Sequence, residues 1–173
     1  QKISKHLSIV PFLKDLVKRL KTGTLIEQNL LPDSWRITEF AGTQAREQNG
    51  ILEIDFEAPE QFNYYHSTKP ADVEPGSYYR LSGYIKMEGL VDDAGVSLEA
   101  QDARGWTKTH SAAGTARVNG DTDWQYVETI YDTLPDARAV NVIARRKGDS
   151  GPLRGKAFFR DVRLEKFATS VDT

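Results

Sequence analysis

The 173-residue chain contains no cysteine, which excludes disulfide staples and thiolate chemistry. It does not exclude an oxidising compartment, which permits disulfides without demanding them. No apolar run approaches the ~20 residues of a membrane-spanning helix. There is no large charge of one sign: 23 Lys and Arg stand against 25 Asp and Glu, a balance unsuited to a nucleic-acid binder that must neutralise many phosphates. Internal repeats, low-complexity segments, a Gly-rich phosphate cradle and a Ser/His/Asp set are all missing. His6, His66 and His110 are scattered rather than spaced as metal ligands. A domain of this length buries roughly 70% of its unfolded-chain surface, enough for stability without metal or disulfide. The chain begins with Gln1 rather than Met, the mark of a processed chain from which an upstream signal or anchor could have been removed.

Residues 1–23 differ from all that follows. Ile3, Leu7, Val10, Leu13, Val17 and Leu20 recur at three- and four-residue steps, and Gly23 follows a Lys/Arg-rich last turn, so the segment predicts an amphipathic helix. Its six cations against Asp15 give +5, which leaves −7 for the remainder of a chain whose net charge is −2. Such a helix can lie on an anionic membrane surface, grip a partner protein, or pack its stripe on the rest of the fold.

From residue 24 to residue 173 every periodic segment reads as strand. The expected strands are Asn29 to Phe40 around Trp35 and Ile37, Ile51 to Glu57 after the Asn49-Gly50 turn signal, Phe62 to Thr68, and Gly95 to Asp102. Three more follow at Trp124 to Thr133, Ala139 to Arg146 and Gly155 to Phe167. Gly105 to Gly120 is polar and Gly-punctuated, a long loop or irregular strand. Trp35 and Trp124, each at a strand start, are expected in the core.

The central strand follows Pro75-Gly76. Tyr79, Leu81, Gly83, Ile85 and Met87 alternate with Tyr78, Arg80, Ser82, Tyr84, Lys86 and Glu88, the period of a half-buried strand. Rings beside cations and hydroxyls on its polar side point to a surface that meets something flat and polar, such as a sugar ring. About eight or nine strands with one N-terminal amphipathic helix predict an all-β, antiparallel jelly-roll β-sandwich.

Four motifs in order carry a resemblance. They are Asn29-Leu30-Leu31-Pro32 before Trp35, the run Pro75 to Lys86, Gly120-Asp121-Thr122-Asp123-Trp124-Gln125, and Ala157-Phe158-Phe159-Arg160-Asp161-Val162-Arg163-Leu164. Together they resemble the jelly-roll carbohydrate-binding modules of the galactose-binding-domain-like superfamily, over about residues 29–167. The resemblance implies a non-catalytic accessory domain of a larger polysaccharide-handling protein, in an extracytoplasmic location. It also implies a glycan ligand on a concave face shared by Arg80, Tyr84, Lys86, Glu99, Gln101, Asn141 and Arg145. Trp106, in a glycine-flanked loop, would stand at its rim or else plug the end of the sandwich. Rings take the axial C–H groups of pyranoses while forked side chains take the hydroxyls. A structural calcium ion is implied as well, held by Asp161 with Glu27 as partner, although Arg160 stands where the family's first aspartate would be, a cation working against an ion there.

Two other functions remain open. Glu53, Asp55 and Glu57 form a Glu-x-Asp-x-Glu strand similar to the catalytic motif of the lichenase and laminarinase glycoside hydrolases, which would make the chain a β-glucan hydrolase with Glu53 as nucleophile and Glu57 as acid/base. The other is a protein-interaction or assembly domain, marked by a filled face and an apolar patch elsewhere.

Overall fold

The computed structural model describes residues 25–59, 63–89, 94–148 and 153–168. The amphipathic helix expected over residues 1–23 lies outside them. In chain order the strands are β1 (Leu25–Glu27), β2 (Arg36–Ile37), β3 (Thr43–Gln48), β4 (Ile51–Ala58), β5 (Ser67–Asp72), β6 (Tyr78–Glu88) and β7 (Val96–Asp102). A one-turn helix α1 (Trp106–Thr109) precedes β8 (Ala112–Gly114), β9 (Thr122–Asp132), β10 (Ala139–Arg146) and β11 (Leu153–Phe167).

They form an antiparallel β-sandwich. The first sheet has the order β3-β4-β11-β6-β9, with β1 paired to the end of β11, and the second has the order β2-β5-β10-β7-β8. Alternation decides which side of each strand is buried. On β6, Tyr79, Leu81, Ile85 and Met87 point inward, and they meet Leu98 and Ala100 of β7 and Val140, Val142 and Ala144 of β10 in one apolar core. The inward glycine of β6 has no room for a side chain: a Cβ on Gly83 would lie 2.7 Å from Leu98 Cδ1 of the facing sheet and 3.3 Å from the Val162 Cα of the neighbouring strand.

Strand β11 changes face midway. Leu153, Ala157 and Phe159 are buried before Asp161, and Val162 and Leu164 after it. The pairing with β6 shifts register between Arg160 and Arg163, and Asp161 takes the left-handed φ of 51°. The extra residue is a bulge, and without it the second half of the strand would present its apolar side to water.

Several expected boundaries move. Asn49 and Gly50 do close the β3–β4 hairpin, with positive φ at both residues and Gln48 opposite Ile51. The strand expected over Asn29 to Phe40 is mostly loop, because Pro32 lacks a donor and side chains take over the backbone pairing. The Asn29 Oδ1 accepts from the Leu31 and Leu164 amides, and the Glu47 carboxylate from the Trp35 amide. Trp35 is buried as expected. Trp124 is not in the core: it stands on the outer face of the first sheet, 4.2 Å from the Arg160 guanidinium.

Gly83→Ala is expected to lower stability by about 1–3 kcal/mol, the usual cost of overpacking. A urea midpoint unchanged from the parent would show that the sheets can separate to admit a methyl group.

Candidate functional site

Part of the outer face of the second sheet is built from alternate residues of three strands, β10, β7 and β8. Arg145 lies opposite Ser97, Ile143 opposite Glu99, and Asn141 opposite Gln101, while Gln101 is flanked by Ala112 and Glu99 by Gly114 of β8. The small residues of β8 leave room, and a hollow of about 670 Å³ opens over Glu99, Gln101, Ala112, Gly114 and Arg145. That volume is within the range of ligand sites, about 300–1,000 Å³. Tyr65, Trp106, Thr107 and Lys147 complete the lining.

Two rings stand in this hollow, each 51% exposed. Trp106 comes from the loop that leaves the Gln101 end of β7. Gly105, at a φ of 97° that side-chain-bearing residues rarely adopt, lets the chain turn into α1. The loop is anchored by ion pairs: the Arg104 guanidinium donates to both oxygens of buried Asp102, at 3.0 and 2.9 Å, and bidentately to Asp136 at 2.8 and 3.0 Å. The guanidinium holds both the Asp102 and Asp136 carboxyls below their usual range. His110 meets Trp106 edge-on at 5.0 Å.

Tyr65 enters at the opposite end of β7, where the Arg145 guanidinium lies 5.5 Å from its ring. Its ring stacks on His66 at 4.4 Å, and His66 stacks on Phe40 at 4.0 Å. The column fixes the exposed ring from behind, and burial pushes the His66 pKa down.

On the floor, Glu99 lies 3.8 Å from Arg145 Nη1 and 3.7 Å from Lys147 Nζ, outside hydrogen-bond reach of either. The Glu99 Oε1 and Arg145 Nε atoms are buried with no hydrogen-bond partner. Buried polar atoms are normally satisfied, and these two are not.

The expected site residues are divided between two faces. Glu99, Gln101, Asn141, Arg145 and Trp106 come together on the second sheet, with Asn141 beside Gln101 at the margin of the hollow. Arg80, Tyr84 and Lys86 do not join them, because β6 belongs to the first sheet and its polar side faces the other way. There Arg80 binds Glu165 at 2.9 Å and covers Phe167, Lys86 lies over Phe158, and Tyr84 packs on Tyr126 beneath Arg160. Strand alternation sorts inside from outside but does not reveal which sheet a strand joins. Tyr65 and Lys147, not among the expected site residues, are part of the lining. The available signal was three consecutive rings, Tyr64, Tyr65 and His66, of which Tyr64 is buried and hydrogen-bonded to Ser67 at 2.7 Å.

The carboxylate triplet lies on the outer face of the first sheet, on a strand whose pairings with β3 and β11 show no bulge. Four strand steps separate the Glu53 and Glu57 Cα atoms by about 13 Å. Glu53 pairs with Arg46 at 2.7 Å and Lys156 at 3.6 Å, and Glu57 lies 3.6 Å from Arg154. The two residues expected to hold calcium are at different places along the strand pairing. Glu27 lies opposite Lys166, five strand positions from Asp161, about 16 Å, while two ligands of one calcium ion must each lie within about 2.6 Å of it. Asp161, the bulge residue, has Arg160 Nε 3.6 Å away. Among the described residues no group of three or more His, Cys, Asp or Glu is placed to hold a metal.

No protein-family model matches the chain, and no curated protein matches it in sequence. Solved structures do match in fold. A family-4 carbohydrate-binding module is similar with a TM-score of 0.52 at 21% identity, covering 84% of this chain and 97% of that one. The enzymatically active domain of tailspike protein 4 from bacteriophage CBA120 is similar with a TM-score of 0.50 at 13% identity, covering 79% of this chain and 19% of that one. At these identities the likeness is one of fold.

The Asp102 carboxyl has a depressed pKa, so its contribution to stability is complete above the ordinary carboxylate value near 3.8 and is lost as pH falls through the lower folded value. Acid titration is therefore expected to loosen residues 102–110 below pH about 4, read as rising amide exchange there. Asp102→Ala should reduce that step to the part contributed by the Arg104–Asp136 pair and cost about 1–2 kcal/mol at pH 7, allowing for the exposure of Arg104.

Proposed function

We propose that the chain is a non-catalytic carbohydrate-binding module of jelly-roll topology that holds an oligo- or polysaccharide across the outer face of its second sheet. The observation that carries this reading is the pair of exposed rings, Tyr65 and Trp106, entering one hollow from opposite ends of β7, with unsatisfied polar atoms of Glu99 and Arg145 between them. A pyranose offers C–H groups on one face and hydroxyls around its edge. Rings accept the first, while Glu99, Gln101 and Arg145 form hydrogen bonds with the second.

A docking surface for a protein would be filled or flat and apolar; this hollow is open and its floor is polar. The fold supports the same reading, because it is shared with a carbohydrate-binding module over most of both chains. Such a module works as an accessory domain of a larger polysaccharide-handling protein in an extracytoplasmic compartment, where its ligands are. Among the described residues no helix is long and apolar enough to cross a membrane.

A glycan array followed by calorimetry tests the proposal. Trp106→Ala should weaken binding of the responsive glycan by about 1–3 kcal/mol, the range for loss of a stacking platform, and Trp106→Phe should recover part of it. Tyr84→Ala, on the opposite face, should leave affinity unchanged. Full affinity in Trp106→Ala with loss in Tyr84→Ala would move the site to the first sheet and overturn the assignment.

A further inference from the structure

We infer that the hollow of the second sheet selects acidic glycans, with the carboxylate of a hexuronate unit seated between Arg145 and Lys147. This rests on the glycan-binding reading above and specifies its ligand class.

The charge balance of the lining is the starting point. Two cations, Arg145 and Lys147, face one carboxylate, Glu99. Glu99 is nearly equidistant from both, at 3.8 and 3.7 Å, so it neutralises one charge in total and engages neither cation in a hydrogen bond. A net positive charge stays on the wall. The outward residues around it, Ser97, Gln101, Asn141 and Ile143, are uncharged. The next outward acid on this face, Asp72, pairs with Ala139, six strand positions from Arg145. That is about 20 Å, beyond the screening length of about 8 Å at physiological salt.

The two cations are also prepared differently. Arg145 has a side chain 18% exposed, with the Tyr65 ring 5.5 Å from its guanidinium carbon and a buried Nε that lacks a hydrogen-bond partner. It is a fixed planar fork already largely out of water, the form of cation suited to a carboxylate. Lys147, 55% exposed, is a mobile point charge at the mouth. A hexuronate differs from its hexose in bearing a carboxylate at C6 in place of a hydroxymethyl group. Its ring can therefore lie on Tyr65 as a neutral sugar would, with the charged substituent directed at the neighbouring guanidinium. Neutral units then fill the Trp106 end, where Gln101, Thr107 and Ala112 bring no charge.

The test uses the whole chain and matched pairs of polymers: polygalacturonate, alginate and glucuronoxylan, each beside its carboxyl-reduced form. At low ionic strength at least one acidic polymer should bind about tenfold or more tighter than its reduced partner, as expected for one charge-assisted contact. The ratio should shrink as NaCl is raised. Lys147→Gln, a change at an exposed position that does not endanger folding, should bring the acid-to-reduced ratio down toward one. Equal affinity for acidic and reduced forms, or binding of neutral polymers alone, overturns the inference and leaves the module a glycan binder. Failure of every glycan, acidic or neutral, overturns both.

Discussion

Strand β11 is hydrogen-bonded along both edges, to β6 on one side and to β4 and then β1 on the other. It can serve all three only because Asp161 adds one residue of left-handed backbone and resets which side chains face inward. The first sheet depends on that single step. Phe159 and Val162 both reach the core because the bulge lies between them, and the Val162 backbone then sits against Gly83 on the neighbouring strand of the same sheet. Leu98 of the second sheet packs onto the same glycine from across the core, so the floor on which the second sheet presents its outer face rests on this part of the first.

On this floor the recognition elements are held by different means. Trp106 is held by electrostatics: one guanidinium bridges Asp102 on the strand and Asp136 on the next turn, so the loop has little freedom left to lose when a ligand arrives. Tyr65 is held by stacking on His66 and Phe40. Ring contacts restrain an exposed side chain without burying its polar edge, and both devices lower the entropic cost of binding. The polar groups between the rings are less settled, since Glu99 is shared by two cations at distances where neither hydrogen-bonds. A loose ion pair in a hollow retains capacity that a tight one would have spent.

The sequence made some of this legible. Alternation along β6 predicted its inward face, and Asn49-Gly50 marked its hairpin, because both signals are local. What could not be read was which strands share a sheet. Arg80, Tyr84 and Lys86 have the same outward pattern as Glu99, Gln101 and Arg145, yet the two groups lie on opposite outer faces. Sheet membership is set by pairings between distant segments, such as β6 with β11 and β10 with β7, which leave no trace in local period. Trp124 misled for a related reason: a large ring at a strand start looks like core, but here it lies against Arg160 on the outside. Asp161 was read as an ion ligand from its motif, and its backbone role as the bulge residue left no sign in that motif.

The pairing of β1 with the far end of β11 sets Leu25 opposite Phe167. Polypeptide joined at either position therefore departs from one corner of the first sheet, with the thickness of the sandwich between it and the Tyr65–Trp106 hollow. The hollow is therefore turned away from both of these strand ends.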